Sequence, residues 1–453
     1  MRGSRGTTFA GVSIDTRTLR DGDLFFAIRG PNQDGHRFVA DALSKGALGA
    51  VVERSYEFPG EFPAGRVLLK VDHTHEALKY LAMSVRRRWP GTLVAITGSM
   101  GKTTTKEFAA QVLQSEFEVY RTPGNYNNLF GLPLALFGLN LEHIFGIFEM
   151  GMSAPGEIAA MCRIADPAIG ILTNVAPVHL AFFDSLEKIA RAKEELVDAL
   201  LPASGTLIYN ADDPLVRGIA ARFAGGKISF GCSDSADVRA DKIEILSLNK
   251  TRFQLSCAGI TKRAAIPFAG GHYVMNALPA VALGSLYNIA PLQMVESLGK
   301  LQAASMRGQI VRFKEGFSVI DDSYNSNPWA LMQMIEVLAG VPSFTRRILV
   351  AGEMLELGGA SDRLHFECGI FAAGRRLDLV IGIQGSAREI VRAAREAGMP
   401  ASQASFFPDP AAAMSFLESN VRSGDLMLVK GSRSVHTERI VESLRSRFDA
   451  LSF

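Results

Sequence analysis

The segment whose residue types and spacing point most directly to chemistry is Gly98-Ser99-Met100-Gly101-Lys102-Thr103-Thr104. Glycines let a backbone wrap a phosphate so that successive N–H groups converge on it; a lysine then reaches the outer phosphates, and a threonine hydroxyl can ligate Mg2+. The spacing departs from GxxxxGK[ST], because only two residues separate Gly98 from Gly101 and Ile96 is not glycine. Its setting still speaks for a nucleotide site: the apolar run TLVAIT (92–97) precedes it and a helical pattern starts near Thr103. The rival reading of the same residues is a Gly-rich turn that only caps a helix.

Ligands of an open parallel sheet gather beyond the carboxyl ends of its strands. Two side chains are expected there. Glu149 closes the run HIFGIFE, and His179 follows AIGILTNV after a short loop carrying Asn174. A carboxylate and an imidazole beside bound phosphates suit Mg2+, with water and phosphate oxygens completing the octahedron. Taken alone, His179 reads as readily as a helix cap or a hydrogen-bonded loop residue. Lys193, in SLEKIARAKEELVDAL, sits where a helix normally turns lysine to solvent. TPGNYNNLFGLP (122–133) has the turn residues and amides of a loop that organises something polar.

The elements that must position these groups read as α/β throughout. Residues 1–90 carry four short strand-like runs, VSI, DLFFAI, GAVV and RVLLKV, then a helical stretch His75–Arg88 that Trp89-Pro90-Gly91 stops. From 91 to 306, TLVAIT, HIFGIFEMG, AIGILTNV and GTLIYN alternate with amphipathic patterns, which predicts a central P-loop parallel sheet with helices on both faces. Ala236–Pro267 reads as shorter β-rich segments, an appended antiparallel sheet. After Met306-Arg307-Gly308, RRILVAGE, LDLVIGIQG and DLMLVKGS each end in a Gly-bearing loop, so 307–453 resembles a Rossmann-like open sheet.

Composition narrows the function class. In 453 residues, 47% hydrophobic and 21% charged content excludes a disordered chain, and no apolar run approaches the ~20 residues needed to cross a bilayer. Lys plus Arg is 48 against 46 acids, so no global field marks a nucleic-acid binder. Cys162, Cys232, Cys257 and Cys368 lack any CxxC spacing and read as ordinary buried thiols of a reducing compartment. MRGSRGTTFAGVS has no apolar run of a secretory signal, so a cytoplasmic protein is expected.

Taken together, the motifs resemble the Mur ligases of peptidoglycan synthesis. The resemblance is carried, in the family's order, by ITGSMGKTTTKE (96–107), GNYNN (124–128), FEMGMSAPGEI (148–158), TNVAPVHL (173–180), NADDP (210–214), GGHYVMNALPA (270–280), DDSYNSNP (321–328), GEMLELG (352–358) with His365, and VKGSR (429–433). SIDTRTLRDGDLFFAIRGPNQDGHRFVADALSKGALGAVV (13–52) looks like the family's uridine-nucleotide-sugar domain. DDSYNSNP and GNYNN look like the branch that adds D-alanyl-D-alanine, and the DNPR-like motif of the diaminopimelate-adding branch is absent.

The resemblance implies ATP and Mg2+ as cofactors, and UDP-muramoyl-tripeptide and D-alanyl-D-alanine as small-molecule partners of a monomer. It further implies an acyl phosphate intermediate and closure about hinges near residues 90 and 306. Lys102, Glu149, His179 and Lys193 would be catalytic, with Thr103, Glu149, His179 and a carbamylated Lys193 on metal. Gly98 to Thr104, Asn276, Arg307 and Asp321 would bind ATP. Ser13, Asp15, Thr16 and Arg17 would meet the uridine diphosphate, with Asp34-Gly35-His36 on the same wall. Tyr324, Asn325, Asn327 and Arg433 would meet the acceptor dipeptide. A sibling ligase with another acceptor, or a regulatory P-loop protein, would share parts of this pattern.

Overall fold

The computed structural model of the chain describes residues 6–30, 33–178, 181–183 and 185–451. Its strands form three sheets. The first has four parallel strands in chain order, Val12–Ser13, Leu24–Phe26, Gly49–Glu53 and Val67–Val71, one for each run expected there. Helix Thr74–Arg88 joins it to the next unit: Leu78 packs with Leu24, Phe26 and Val51 of the first sheet, while Ala82 packs into the central core. Trp89, extended ahead of Pro90, ends the helix.

The central sheet has nine strands. Their order is Ile260–Ile266, Lys250–Cys257, Val238–Ser247, Gly226–Gly231, Thr206–Asn210, Ile169–Leu172, Thr92–Thr97, Phe145–Glu149 and Val119–Arg121. Strand Thr92–Thr97 pairs in parallel with Ile169–Leu172 on one side and Phe145–Glu149 on the other, so the winding reverses there. That is where an open sheet leaves a crevice for ligand. Successive side chains of this strand feed opposite cores, Val94 and Ile96 one, Leu93 and Ala95 the other, which is why helices cover both faces.

Ala236–Pro267 forms no separate sheet. Its three strands are antiparallel to each other, but Phe230 and Gly231 pair in parallel with Val238 and Arg239, making it a continuation of the central sheet. Phe253, Leu255 and Ile266 alternate into the core that holds Val94 and Ile96. Burial, rather than strand direction, decides membership.

The last sheet has six strands where three were expected, in the order Gln309–Arg312, Ser318–Asp321, Asp425–Lys430, Arg346–Gly352, Leu379–Ile383, Ala404–Phe407. All pair in parallel except the Gln309–Arg312 edge. Its core takes in Leu248 and Ala269 of the preceding unit, packed with Ile320, Leu331 and Val337. The connection between the two bends sharply: Met306 and Gly308 have φ of 57° and 73°. Cys162, Cys257 and Cys368 are buried, but Cys232 is exposed, because it lies in the turn just after strand Gly226–Gly231 and not on an inward face. Among the described residues no helix is long and apolar enough to cross a membrane.

Candidate active site

The glycines of the loop after Thr92–Thr97 are forced by crowding. Gly98 (φ 150°) and Gly101 (φ 80°) occupy conformations that side chains avoid, and a Cβ on either would overlap the Thr173 hydroxyl or the Asn276 amide. The loop is braced by the segment after Ile169–Leu172. Ser99 N–H donates to the Asn174 carbonyl (2.9 Å), Met100 N–H to Asn174 Oδ1 (2.9 Å), and Thr173 Oγ1 to the Met100 carbonyl (2.7 Å). Ser99 Oγ donates to the Ala176 carbonyl (3.0 Å) and accepts its N–H (2.8 Å) at the next residue pair of the same brace. Lys102 opens helix Lys102–Leu113 and folds back, its Nζ donating to the Gly98 carbonyl at 2.9 Å. Burial lowers its pKa; Glu149 opposes that shift and Arg307 adds to it.

Glu149 is buried at the carboxyl end of its strand and is held from both sides. Thr103 Oγ1 donates to one carboxylate oxygen (2.7 Å) and Asn127 Nδ2 to the other (2.8 Å). Asn127 belongs to GNYNN, so that amide-rich loop serves to orient the acid. Thr103 and Glu149 together present hard oxygens next to the phosphate loop. Among the described residues no group of three or more His, Cys, Asp or Glu is placed to hold a metal, so this donor set fits a hard cation that draws its other ligands from phosphate and water. His179 lies outside the described residues.

Lys193 is not on a solvated face. It is 2% exposed and makes no hydrogen bond among the described residues. Burial, and then the charge of nearby Lys102, depress its pKa well below the ordinary value. Its neighbour Glu194 is engaged by Arg191 and Arg222 instead. Both effects weaken the protonated form relative to the neutral amine.

The last unit faces this loop across the Met306–Gly308 bend. Asn276 lies against Gly101, and the Arg307 guanidinium stacks over Tyr324 at 4.1 Å while its charge is felt at Lys102. Arg433 reaches Met306 Sδ (3.4 Å) and pairs with Glu438 (3.1 Å). Asp321 stands apart. Its carboxyl accepts from Ser323 and its charge meets Arg445, and burial raises its pKa. Strand alternation turns Asp322 the other way, onto Lys430 at 2.5 Å and towards Tyr273. Asn325 lends its carbonyl to Lys430 (2.9 Å), and Asn327 spends its side-chain oxygen capping helix Pro328–Gly340 through Ala330 N–H (2.9 Å).

The first-unit residues satisfy one another. Ser13 Oγ bonds the Asp15 backbone, and Asp15 forms a two-pronged ion pair with exposed Arg17. The Thr16 carbonyl accepts from Lys45 Nζ at 3.4 Å. His36 is a strut: Asp34 holds its Nδ1 at 2.6 Å, and its Nε2 accepts the Glu53 N–H at 2.9 Å. None of these contacts joins them to the phosphate loop.

Three family models match the chain: "Mur ligase family, catalytic domain" over residues 8–86, "Mur ligase middle domain" over 96–284, and "Mur ligase, glutamate ligase domain" over 306–433. The Bacillus subtilis UDP-N-acetylmuramoyl-tripeptide--D-alanyl-D-alanine ligase is 32% identical over 438 residues, 97% of this chain and 93% of that protein. The chain belongs to the Mur ligase family. Among solved structures, MurF from Acinetobacter baumannii superposes with a TM-score of 0.85 at 30% identity, covering 97% of this chain and 94% of that one. The Thermotoga maritima MurF ligase in complex with ADP gives 0.81 at 28% identity, over 96% and 97%.

Several groups of this Mur ligase escape a reading of local spacing. Asn127, Thr173 and Asn174 brace the acid and the phosphate loop, while Asp322 and Lys430 pair with each other and Tyr273 holds the Arg307 carbonyl. Asn127 and Asn174 had a local signal, amides in turn-rich loops, whereas Thr173, Asp322, Lys430 and Tyr273 lie in segments that the family resemblance marks without giving any of them a role.

Proposed function

We propose that this Mur ligase uses ATP to join D-alanyl-D-alanine to UDP-N-acetylmuramoyl-tripeptide, through an acyl phosphate, yielding the UDP-muramoyl-pentapeptide. The observation that carries the reading is the Thr103–Glu149–Asn127 arrangement behind a braced phosphate loop, facing Arg307 across the bend. The named activity of its full-length relatives supports the substrates, and the ADP complex of a structural neighbour supports the nucleotide.

The chemistry explains the layout. A carboxylate acylates poorly because oxide is its leaving group, so the tripeptide carboxylate first attacks the γ-phosphorus and ADP departs. The acceptor amine then adds to the acyl carbon and phosphate leaves. The protein's part is positioning and charge neutralisation. Gly98 to Thr104 would cradle the phosphates, and Lys102 would exchange its loop carbonyls for γ-phosphate oxygens. Asn276, on the central unit's own helix, and Arg307, at the bend, would hold the nucleotide; of the two neighbouring carboxylates, Asp321 is engaged by Ser323 and Asp322 by Lys430, and Asp321 or Asp322 would add a contact from the last unit. Thr103 and Glu149, with His179, would hold Mg2+, which when bound screens the phosphate charge. A neutral Lys193 is the form that reacts with CO2, and the carbamate would bring a further anionic oxygen to that region. Ser13, Asp15, Thr16 and Arg17 would take the uridine diphosphate, and Tyr324, Asn325 and Arg433 the acceptor; Asn327 would shape that wall as a helix cap.

An α-amine with a pKa of about 7.7–8.0 needs no dedicated base under mildly alkaline conditions. Division into 1–90, 91–306 and 307–453, a monomeric state and a cytoplasmic location, where ATP is supplied, complete the proposal. The test is phosphate release from ATP and Mg2+ with each cosubstrate omitted in turn and the product weighed. Release that requires both, with the pentapeptide formed, is expected. Acceptance of a single amino acid would move the chain to a sibling reaction, and release that ignores both substrates would point to a nucleotide switch.

A further inference from the structure

The bend at Met306–Gly308 is pinned from both sides. From the central unit, Tyr273 Oη donates to the Arg307 carbonyl at 3.2 Å. Its ring is buried, stacked on Phe268 at 4.8 Å and beside His272 at 4.2 Å, so the hydroxyl has little freedom. From the last unit, Tyr324 donates its N–H to the Met306 carbonyl (3.2 Å) and offers its ring to the Arg307 guanidinium. Gly308 allows the approach: any Cβ there would overlap the Tyr273 hydroxyl. The same helix, Gly271–Leu286, sets Asn276 against Gly101 one turn further on. One rigid element thus touches both the phosphate loop and the connector that presents Arg307.

We infer that Tyr273 is a positioning residue for the ligase reaction: its hydroxyl fixes the connector so that Arg307 points at the nucleotide phosphates. The inference rests on the ligase reading above. Tyr273 acts through Arg307 and touches no substrate.

The experiment is a double-mutant cycle in the full chain with Tyr273→Phe and Arg307→Ala, measuring kcat and KM for ATP. Tyr273→Phe keeps the ring stack and should melt within about 4 °C of the parent. Alone it should lower kcat by about 10- to 100-fold, yet cost less than about threefold once Arg307 is alanine, because the same interaction has already been removed. An equal loss in both backgrounds, or no loss in either, overturns the inference. Hydrogen exchange over 304–310 provides a readout that needs no turnover: faster exchange in Tyr273→Phe is expected, and unchanged exchange again overturns it. Should the parent fail to make the pentapeptide, the ligase reading falls separately, and the exchange result still decides whether the hydroxyl pins the connector. If Tyr273→Phe does not fold, Gly308→Ala, which displaces the hydroxyl from the other side, replaces it in the same cycle.

Discussion

Helices Lys102–Leu113 and Leu186–Asp198 each sink a lysine into the central unit, and the two amines are treated in opposite ways. Lys106, 1% exposed, donates to the Thr122 carbonyl at 2.7 Å and pairs with Glu107 at 3.1 Å. Lys193, 2% exposed, has no such partner among the described residues, and burial, then the charge of Lys102, push its pKa well below the ordinary value. A buried charge with its partners in place is architecture. A buried amine held neutral lowers stability and persists where its reactivity is used. The histidines divide the same way. His36 and His365 each accept a backbone N–H on Nε2, from Glu53 and Met354, whereas His272 makes no hydrogen bond among the described residues and lies beside the Tyr273 ring and the charge of Lys430.

The comparison breaks most sharply under paired substitution. Lys193→Met should abolish ligation, by about 100-fold or more, with the melting temperature unchanged or raised. Lys106→Met should do the reverse, costing about 1–3 kcal/mol through an unpaired Thr122 carbonyl while retaining far more activity. Turnover assays and thermal melts on both variants decide it, and similar profiles would erase the distinction. A smaller effect is expected from the medium: stripping CO2 should slow the parent severalfold, bicarbonate should restore it, and Lys193→Met should respond to neither. An intact mass without one added CO2 at full activity would count against carbamylation.

The smallest effect concerns His272. Burial and then Lys430 lower its pKa from 6.5 to about 4. The folded state therefore keeps this ring neutral where the unfolded chain would protonate it, so its contribution is complete above pH 6.5 and is lost as pH falls towards 4. His272→Gln should flatten the melting-temperature curve across that window. An unchanged slope would show that the ring is already protonated or solvated.

Long apolar runs were readable: TLVAIT is a strand to the residue, and LDLVIGIQG and DLMLVKGS hold the strands Leu379–Ile383 and Asp425–Lys430, because burial on both faces leaves no polar alternation to misread. Val119–Arg121 and Ala404–Phe407 escaped notice as short edge strands with half-exposed positions. At the site, Lys102, Thr103 and Glu149 could be read because chemistry and sheet position coincide in one motif. Asp322 could not be told from Asp321, since only the pleat decides which carboxylate turns to Ser323 and which to Lys430. Lys193 lay on the buried side of a helix whose charges suggested water, and only tertiary packing reveals that face.

Leu248 and Ala269 complete a core that otherwise belongs to the last sheet. Synthesis runs from the N-terminus, so this cradle has left the ribosome before Ile320, Leu331 and Val337 exist to fill it. The last unit then matures against a surface already built. Released on its own it would lack part of its wall and carry an open apolar flank where Leu248 and Ala269 now sit.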